Sequence, residues 1–487
     1  TAKHHDGFCL RPSNYSQHTV RESLWKDGKG DLLKELSEAC KEYDLKFGVY
    51  LSPWDQNHPS YGTDEYNQIF ANTLDEGLSG YGEVFEQWFD GANGEGHGGK
   101  KQIYDWLLFH QVVHKNQPNA VIFSDIGPGC RWIGNEKGYA GETNWSRLNT
   151  EGFGPGRDAP ISDTLNIGNI HGKNWVPGEA DVSIRPGWFY SPSTDDKVKT
   201  LEQLMDIYYA SVGHNANLLL NVPPDRRGRI HKNDSIRLME FRKAIDDSFK
   251  ENLAKGKISS NETRGHAKAY NPQNLLDDNY DTYWTTEDSV RTASFELEMV
   301  SEQAFNSIIL QEYIPLGQRI ANFNIEYWDN NSTSWRLLTE GTTIGYKRIL
   351  RFPTISTNKI KVNILKSLAC PILNSFQIYN TPDFSSTVLL KELDKDPESD
   401  KWKVLSPSSD DAYKIIDRKT EDIVHVQKNT PVTIDLGKTE SLKGFFYIPE
   451  NRVSAANISR YDAYISVDNK KWTQIKSNTL FNNIKNN

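Results

Sequence analysis

Hydrophobic residues change their period once along this chain, near residue 255, and that change limits which folds are open to it. Before it, helical stripes alternate with short continuous apolar runs. After it, apolar and polar residues alternate over short stretches separated by Asn, Asp, Ser and Thr clusters. The first texture calls for crossover helices on a parallel sheet, the second for an all-β sandwich. At 487 residues the chain is too long for one core, so a division at this switch is expected.

In the first part, Leu32, Leu33, Leu36, Ala39, Cys40 and Tyr43 share one stripe of a helix over 31–43 that feeds the run K-F-G-V-Y-L-S. Thr63 is placed to cap a second helix carrying Tyr66, Ile69, Phe70, Leu74 and Leu78, ahead of a strand over 83–90. A third helix with Ile103, Trp106, Leu107 and His110 leads to A-V-I-F-S-D. A fourth, with Val198, Leu201, Leu204, Met205, Tyr208 and Val212, leads to N-L-L-L-N-V. Counting T-A-K-H-H-D-G-F as a strand, five clear strands precede residue 225 and a weaker one lies near 181–190. These features predict a (β/α)8-like barrel over residues 1–255 whose first strands lie upstream of Thr1, since six strands do not close a barrel of eight. An open doubly wound sheet is disfavoured, because no Gly-rich phosphate fingerprint follows any strand.

Past a helix over 235–253, the runs S-F-E-L-E-M-V, N-S-I-I-L-Q-E, F-N-I-E-Y-W, R-I-L-R-F and K-I-K-V-N-I-L read as short strands of a sandwich over 256–382. P-V-T-I-D-L, K-G-F-F-Y-I-P and Y-D-A-Y-I-S-V-D-N-K-K-W form a second set over 383–487. Trp335 and Trp472 hold corresponding places, so the second set reads as an incomplete repeat of the first.

Charge and composition exclude several classes of function. A net charge of −9 argues against phosphate backbones, so nucleic acid is not an expected partner. No apolar run is long enough to span a membrane. Cys9, Cys40, Cys130 and Cys370 stand far apart without a C-x-x-C, which signals neither a disulfide framework nor a zinc site. The Gly-rich run G-A-N-G-E-G-H-G-G lacks the G-K-[ST] ending of a phosphate loop, and no G-x-S-x-G elbow occurs.

Two carboxylates stand out against this background. Asp90 ends the run E-V-F-E-Q-W-F-D before a Gly-rich loop, and Glu136 lies in C-R-W-I-G-N-E-K-G-Y-A. Barrels place their chemistry where strands give way to loops, and paired carboxylates there suit glycoside hydrolysis. An Asp before Gly also arises simply as a turn cap. Glu95, Glu142 and Glu179 rival Glu136 for the acid.

Several strings in order, T-A-K-H-H-D-G-F-C-L, G-V-Y-L-S-P-W-D-Q-N-H-P-S-Y-G, W-F-D-G-A-N-G, R-W-I-G-N-E-K-G-Y-A, R-P-G-W-F-Y and N-A-N-L-L-L-N-V-P-P-D-R-R-G, resemble the catalytic barrel of the family 29 glycoside hydrolases, the α-L-fucosidases. The loop around Glu136 and the W-D-Q-N-H-P string look more like the α-1,3/1,4-fucosidase branch. The resemblance implies a retaining exo-hydrolase with Asp90 as nucleophile and Glu136 as general acid/base. It further implies sugar contacts from His4, His5, Tyr50, Trp88 and Trp188; Arg131 is placed either to hold Asp90 ionised or to grip a hydroxyl. No metal is expected, because no third ligand at helical or hairpin spacing accompanies the two histidines. The two adjacent histidines can both face a sugar only if their strand has ended or bulged there. Tyr50, Trp88 and Trp188 also read as core residues.

By the same route N-L-L-D-D-N-Y-D-T-Y-W, F-N-S-I-I-L-Q-E-Y, G-Q-R-I and I-G-Y-K-R-I-L resemble a discoidin-like domain of the coagulation factor 5/8 type C kind, and the last part of the chain resembles a second copy. No cofactor is expected for catalysis; a structural calcium on D-D-N-Y-D-T is implied. Fucosylated glycans such as Lewis-type oligosaccharides are the expected partners, with a periodic home for such chemistry in the periplasm or outside the cell. A carbohydrate-binding protein on an inactive barrel would share every feature except working carboxylates.

Overall fold

A computed structural model describes residues 1–155, 162–382, 384, 402–409, 411–416, 424, 426–427, 430–439 and 460–480. Its first part is built on β1 (Gly48–Tyr50), β2 (Glu86–Trp88), β3 (Val121–Ser124) and β4 (Cys130–Trp132). A small antiparallel pair, β5 (Arg147–Leu148) with β6 (Asn174–Trp175), follows, and then β7 (Gly178–Ser183) and β8 (Ala216–Asn221). All strands but the small pair join one parallel sheet in the order β1-β2-β3-β4-β7-β8. Among the described residues this sheet does not close on itself.

Three strand expectations need correction. T-A-K-H-H-D-G-F contributes only bridges, from Lys3 to Leu51 and to Cys9, because the chain turns at once after His4. The strand β4 was not expected, since only three residues of a Gly-rich loop pair there. The weaker strand lies at 178–183 rather than 181–190, its apolar pattern hidden by Glu179 and Asp181.

The helices are α1 (Leu32–Glu42), α2 (Asp64–Ser79), α3 (Trp106–Asn116), α4 (Ser162–Ile167), α5 (Leu201–Ser211) and α6 (Lys232–Ser248). The α2 stripe is buried as its spacing predicts, through Tyr66, Phe70, Leu74 and Leu78. Thr63 stands at its N-cap, but the hydroxyl donates to the Ser60 carbonyl instead of capping. On α3 the inward face is Phe109 and Val113; Ile103 precedes the helix and, like Leu107, is 70% exposed. On α1 only Leu33 is buried, while Leu32, Leu36 and Tyr43 are exposed.

Beyond the first sheet come β9 (Gly256–Ser260), β10 (Trp284–Thr285), β11 (Ala293–Glu312), β12 (Ile320–Asp329), β13 (Ser334–Gly341), β14 (Arg348–Ser367) and β15 (Ile372–Tyr379), all antiparallel. S-F-E-L-E-M-V and N-S-I-I-L-Q-E, expected as separate strands, are two halves of β11; R-I-L-R-F and K-I-K-V-N-I-L are halves of β14. Register shifts after Glu298 and Phe305 bend β11, so its first half pairs with β9 and its second half with β15. Each long strand thus passes from one layer to the other around a core of Trp284, Phe295, Leu297, Ile308, Phe323 and Phe376. The period of two holds on the outer face, where Glu296 and Glu298 pair with Lys361 and Lys359 of β14.

Farther on, β16 (Lys403–Ser406) pairs with β17 (Thr433–Asp435), and β18 (Arg460–Ile465) with β19 (Thr473–Leu480). K-G-F-F-Y-I-P lies outside the described residues. In the D-D-N-Y-D-T loop, Asp277 accepts from the Asn279 amide at 2.9 Å and the Thr282 hydroxyl at 2.7 Å, a turn that holds its own shape.

One buried ion pair fixes the loop that follows β7. Arg185 Nε meets both Asp234 oxygens at 2.8 and 2.9 Å, and neither side chain is exposed (0%). Its Nη1 also donates to Thr194 and Asp195, so the loop is tied to the first turn of α6. Asp234→Ala leaves the Arg185 charge buried and half-partnered. It is expected to cost about 3–5 kcal/mol, read as a lower urea midpoint, whereas a surface ion pair removed in the same way would cost under about 1 kcal/mol.

Candidate active site

Strand geometry decides which side chains meet. On β2 the period of two places Glu86, Trp88 and Asp90 on one face, while Phe89 packs among the helices. Parallel register sets Tyr50 beside Trp88 and Trp88 beside Phe123, so three rings stack at one level, with centroids 5.2 and 3.9 Å apart. Trp88 is therefore covered on both faces by aromatic neighbours. It floors the site and offers no free face to a sugar, against the expectation from sequence.

Asp90 stands one step beyond this floor, its side chain 25% exposed. Oδ2 accepts from the Tyr50 hydroxyl at 2.8 Å and Oδ1 from the Ala92 amide at 2.8 Å, so it caps its own turn as well as facing the site. Gly91 lets the Asp125 carboxylate approach closely, since a Cβ there would sit 2.2 Å from it and push that side chain aside. Burial, with the Asp90 charge adding, holds the Tyr50 proton far more firmly than in a free phenol, so this hydroxyl donates and does not ionise.

His4 and His5 both face the site because their bridge ends at Lys3. Their rings are 4.1 Å apart; His4 lies over Tyr50 at 5.5 Å and His5 beside Trp54 at 4.6 Å. Burial outweighs the nearby Asp90 charge and lowers the pKa of each ring, leaving them neutral at pH 7. His5 is oriented by Ser52 Oγ, 2.8 Å from Nδ1, and its Nε2 lies 3.5 Å from Asp90, a contact rather than an ion pair.

Glu136 is exposed in the loop after β4, where Trp188 Nε1 donates to its Oε2 at 3.3 Å. The next residue, Phe189, meets His4 edge-on at 4.9 Å. A continuous rim thus runs from Asp90 through Tyr50, His4, Phe189 and Trp188 to Glu136. Of the rival carboxylates, Glu95 lends its carbonyl to Trp54, Glu142 lies against the sandwich, and Glu179 sits one level lower, accepting from Trp88 Nε1 at 3.0 Å.

Arg131 is not in the site. Cys130 and Trp132 take the inward positions of β4, so Arg131 points the other way; fully buried, it donates to the carbonyls of Leu165 and Val176 and to Asn144 Oδ1. No hydroxyl of a sugar can reach it.

Asp181 belongs to the constellation and sequence reasoning passed over it. It is buried on the inward face of β7 and accepts from Trp132 Nε1 at 2.8 Å. Burial pushes its pKa up to about 7; the Trp132 hydrogen bond opposes this, and the Glu136 and Asp90 charges add to it. Below it, burial raises both Glu86 and Glu179, with the Glu86 charge adding at Glu179, so this pair holds a proton. Acidic residues two apart in G-E-A-D-V-S, on a strand buried on both faces, were the available signal. Among the described residues, His4–His5–Asp90 and Glu86–Cys130–Glu179 each bring three potential metal-ligand atoms within 4.8 Å of one another.

Comparison with known proteins shows the family of the chain. Residues 1–245 match the Alpha-L-fucosidase family model and residues 257–374 the F5/8 type C domain model. Alpha-L-fucosidase 1 of Arabidopsis thaliana is 40% identical over 409 residues, 80% of this chain and 79% of that protein. A Ruminococcus gnavus GH29 fucosidase solved in complex with fucose is 35% identical and superposes with a TM-score of 0.71, covering 78% of this chain and 82% of that one. A glycoside hydrolase 29 family member from an unknown rumen bacterium is 37% identical, with a TM-score of 0.67 over 84% of this chain and 70% of its own.

A carboxyl held protonated up to about pH 7 has a thermodynamic signature. The unfolded chain releases that proton near pH 4 (about 3.9), so the stability contributed by Asp181 is full below that point and is lost as pH rises to about 7. Asp181→Asn is expected to gain on the parent over that window in urea midpoint and to run parallel above it. A difference that stays constant with pH would rule out the raised carboxyl.

Proposed function

Because the chain belongs to the α-L-fucosidases, the glycoside hydrolases of family 29, we propose that Asp90 and Glu136 are its working carboxylates and that hydrolysis proceeds with retention. The observation that carries this reading is the Asp90 carboxylate at the end of β2, hydrogen-bonded by Tyr50 at 2.8 Å and joined by an unbroken rim to the Glu136–Trp188 pair. In the first step Asp90 attacks the anomeric carbon of a terminal fucose as Glu136 gives its proton to the departing glycosidic oxygen. In the second, Glu136 takes a proton from water, which attacks the same carbon and releases Asp90. Two groups flanking one bond at about 5–5.5 Å are what retention needs.

The remaining residues bind and orient. Neutral His4 and His5 each offer one donor and one acceptor, which suits the hydroxyls of a sugar. The indole of Trp188 meets the apolar face and methyl group of fucose, and its N–H keeps Glu136 aimed. Tyr50 stabilises the charge on Asp90.

For linkage, we propose α-1,3/1,4-linked fucose on Lewis-type oligosaccharides, supported by the form of R-W-I-G-N-E-K-G-Y-A and W-D-Q-N-H-P, whose Trp54 stands against His5. A Lewis-type trisaccharide should release fucose much faster than an α-1,2-linked fucosyllactose. Equal rates would return the enzyme to broad specificity.

Azide separates the two carboxylates. Asp90→Ala should be inactive and regain turnover with azide, giving the β-fucosyl azide, because azide takes the place of the missing nucleophile. Glu136→Ala should lose about 10²–10⁴-fold on natural linkages and give the α-fucosyl azide, because azide then attacks the glycosyl ester. Full activity in both variants would overturn the assignment.

A further inference from the structure

The loop that carries Glu136 does not depend on the parallel sheet alone. Its far end, residues 142–146, is held by two loops of the β-sandwich. Gln318, almost wholly buried, accepts from the Ser146 amide at 2.7 Å and donates to the Asn144 carbonyl at 2.9 Å, bridging that backbone as a neighbouring strand would. The Thr343 hydroxyl accepts from the Asn144 amide at 2.9 Å, Thr342 meets Thr143 at 2.7 Å, and Arg348 reaches the Glu142 carbonyl. Asn144 passes the connection inward: its Oδ1 accepts from Arg131 of β4 at 2.9 Å and its Nδ2 donates to the His214 carbonyl at 2.8 Å. Both ends of the loop, β4 and residues 142–146, therefore meet at Asn144.

The sandwich side of this clamp is itself fixed. Buried Glu312 accepts from the amides of Arg319 and Ile320, just after Gln318, at 2.6 and 2.9 Å, and from Gly345, just after Thr343, at 2.7 Å. One carboxylate thus sets the spacing between the two loops that hold the barrel. Asn215, whose amide oxygen accepts from the Tyr346 amide at 2.7 Å, adds donors to the Asn144 carbonyl and the Ser146 hydroxyl, each at 3.1 Å.

We propose that the β-sandwich acts in the reaction as the rigid support of the general acid/base, with Gln318 as the positioning residue. Among the described residues the Glu136 side chain has one hydrogen bond, from Trp188. Its turn is closed by Asn135 on the Tyr139 carbonyl and is held from the barrel side by Asn166 on that same carbonyl and by Ala140 on the Ala210 carbonyl, so the clamp at 142–146 supplies its support from the sandwich side. Its place above the scissile oxygen follows from where its loop is anchored. Proton transfer is sensitive to such placement, since a shift of about 1 Å in a catalytic group can cost about 10²-fold. The proposal rests on the assignment of Glu136 as acid/base.

Leaving-group dependence tests it. A dinitrophenyl fucoside departs without a proton, whereas a fucosylated oligosaccharide needs one, so a displaced acid harms kcat/KM for the second alone. Gln318→Ala is expected to lower kcat/KM on the oligosaccharide by about tenfold or more and to leave the dinitrophenyl fucoside within about twofold. Thr343→Val, nearly isosteric, should repeat the pattern more mildly and stands in if Gln318→Ala does not fold. Glu136→Ala is the reference: if it shows no such selectivity, the acid/base assignment fails. If it does and the sandwich variants lower both substrates equally, or neither, Gln318 is only structural and the proposal is overturned.

Discussion

The constraint on which the site depends is that inward positions of a parallel sheet recur every second residue and lie level across neighbouring strands. That rule sets Tyr50, Trp88 and Phe123 side by side and leaves Asp90 at the mouth of the sheet, with Glu86 at the bottom. On β7 it stacks Asp181 above Glu179. Burying so many carboxyls is unfavourable unless they are protonated or hydrogen-bonded. Here burial raises Glu86, Glu179 and Asp181 while indole N–H groups of Trp88 and Trp132 satisfy an oxygen on each of the last two. These buried, protonated acids keep the charge at the top, where Asp90 stands open to a ligand.

A similar exchange of burial for order occurs at the junction of the two folds. Glu312 receives three backbone amides, yet its burial is complete enough that its pKa still rises to about 7. A carboxyl in that position contributes less through its charge than through its geometry: its two oxygens gather amides from the two ends of the β12–β13 hairpin. Apolar packing runs across the same junction, where Ile309, Ile349 and Tyr379 join Leu204, Met205 and Phe241 in one cluster. The sandwich is thus continuous with the sheet it serves.

Much of this was legible from residue order. The α2 and α5 stripes, the runs that became β1, β3 and β8, and the change of texture near residue 255 all follow from period alone. Asp90 stood out because an acid ends an apolar strand beside glycine. What period could not show was direction. Arg131 and Glu136 share one loop-like stretch, and only the two flanking inward residues of β4 reveal that Arg131 faces away. Trp88 was readable as a sugar platform until register covered both its faces. Two pairs of runs looked like four strands because the bends in β11 and β14 fall at polar residues, which resemble turns when no partner strand is in view.

The hydroxyl of Tyr50 carries one more consequence. Among the described residues no lysine or arginine touches Asp90, so its charge is balanced by neutral donors and by the field of the site. A neutral donor binds an anion better than an ester. In the proposed mechanism that bond slackens as the sugar becomes attached to Asp90 and tightens again as the sugar departs. The same hydrogen bond that steadies the resting enzyme therefore pulls toward emptying it, favouring release of the covalent sugar over its accumulation.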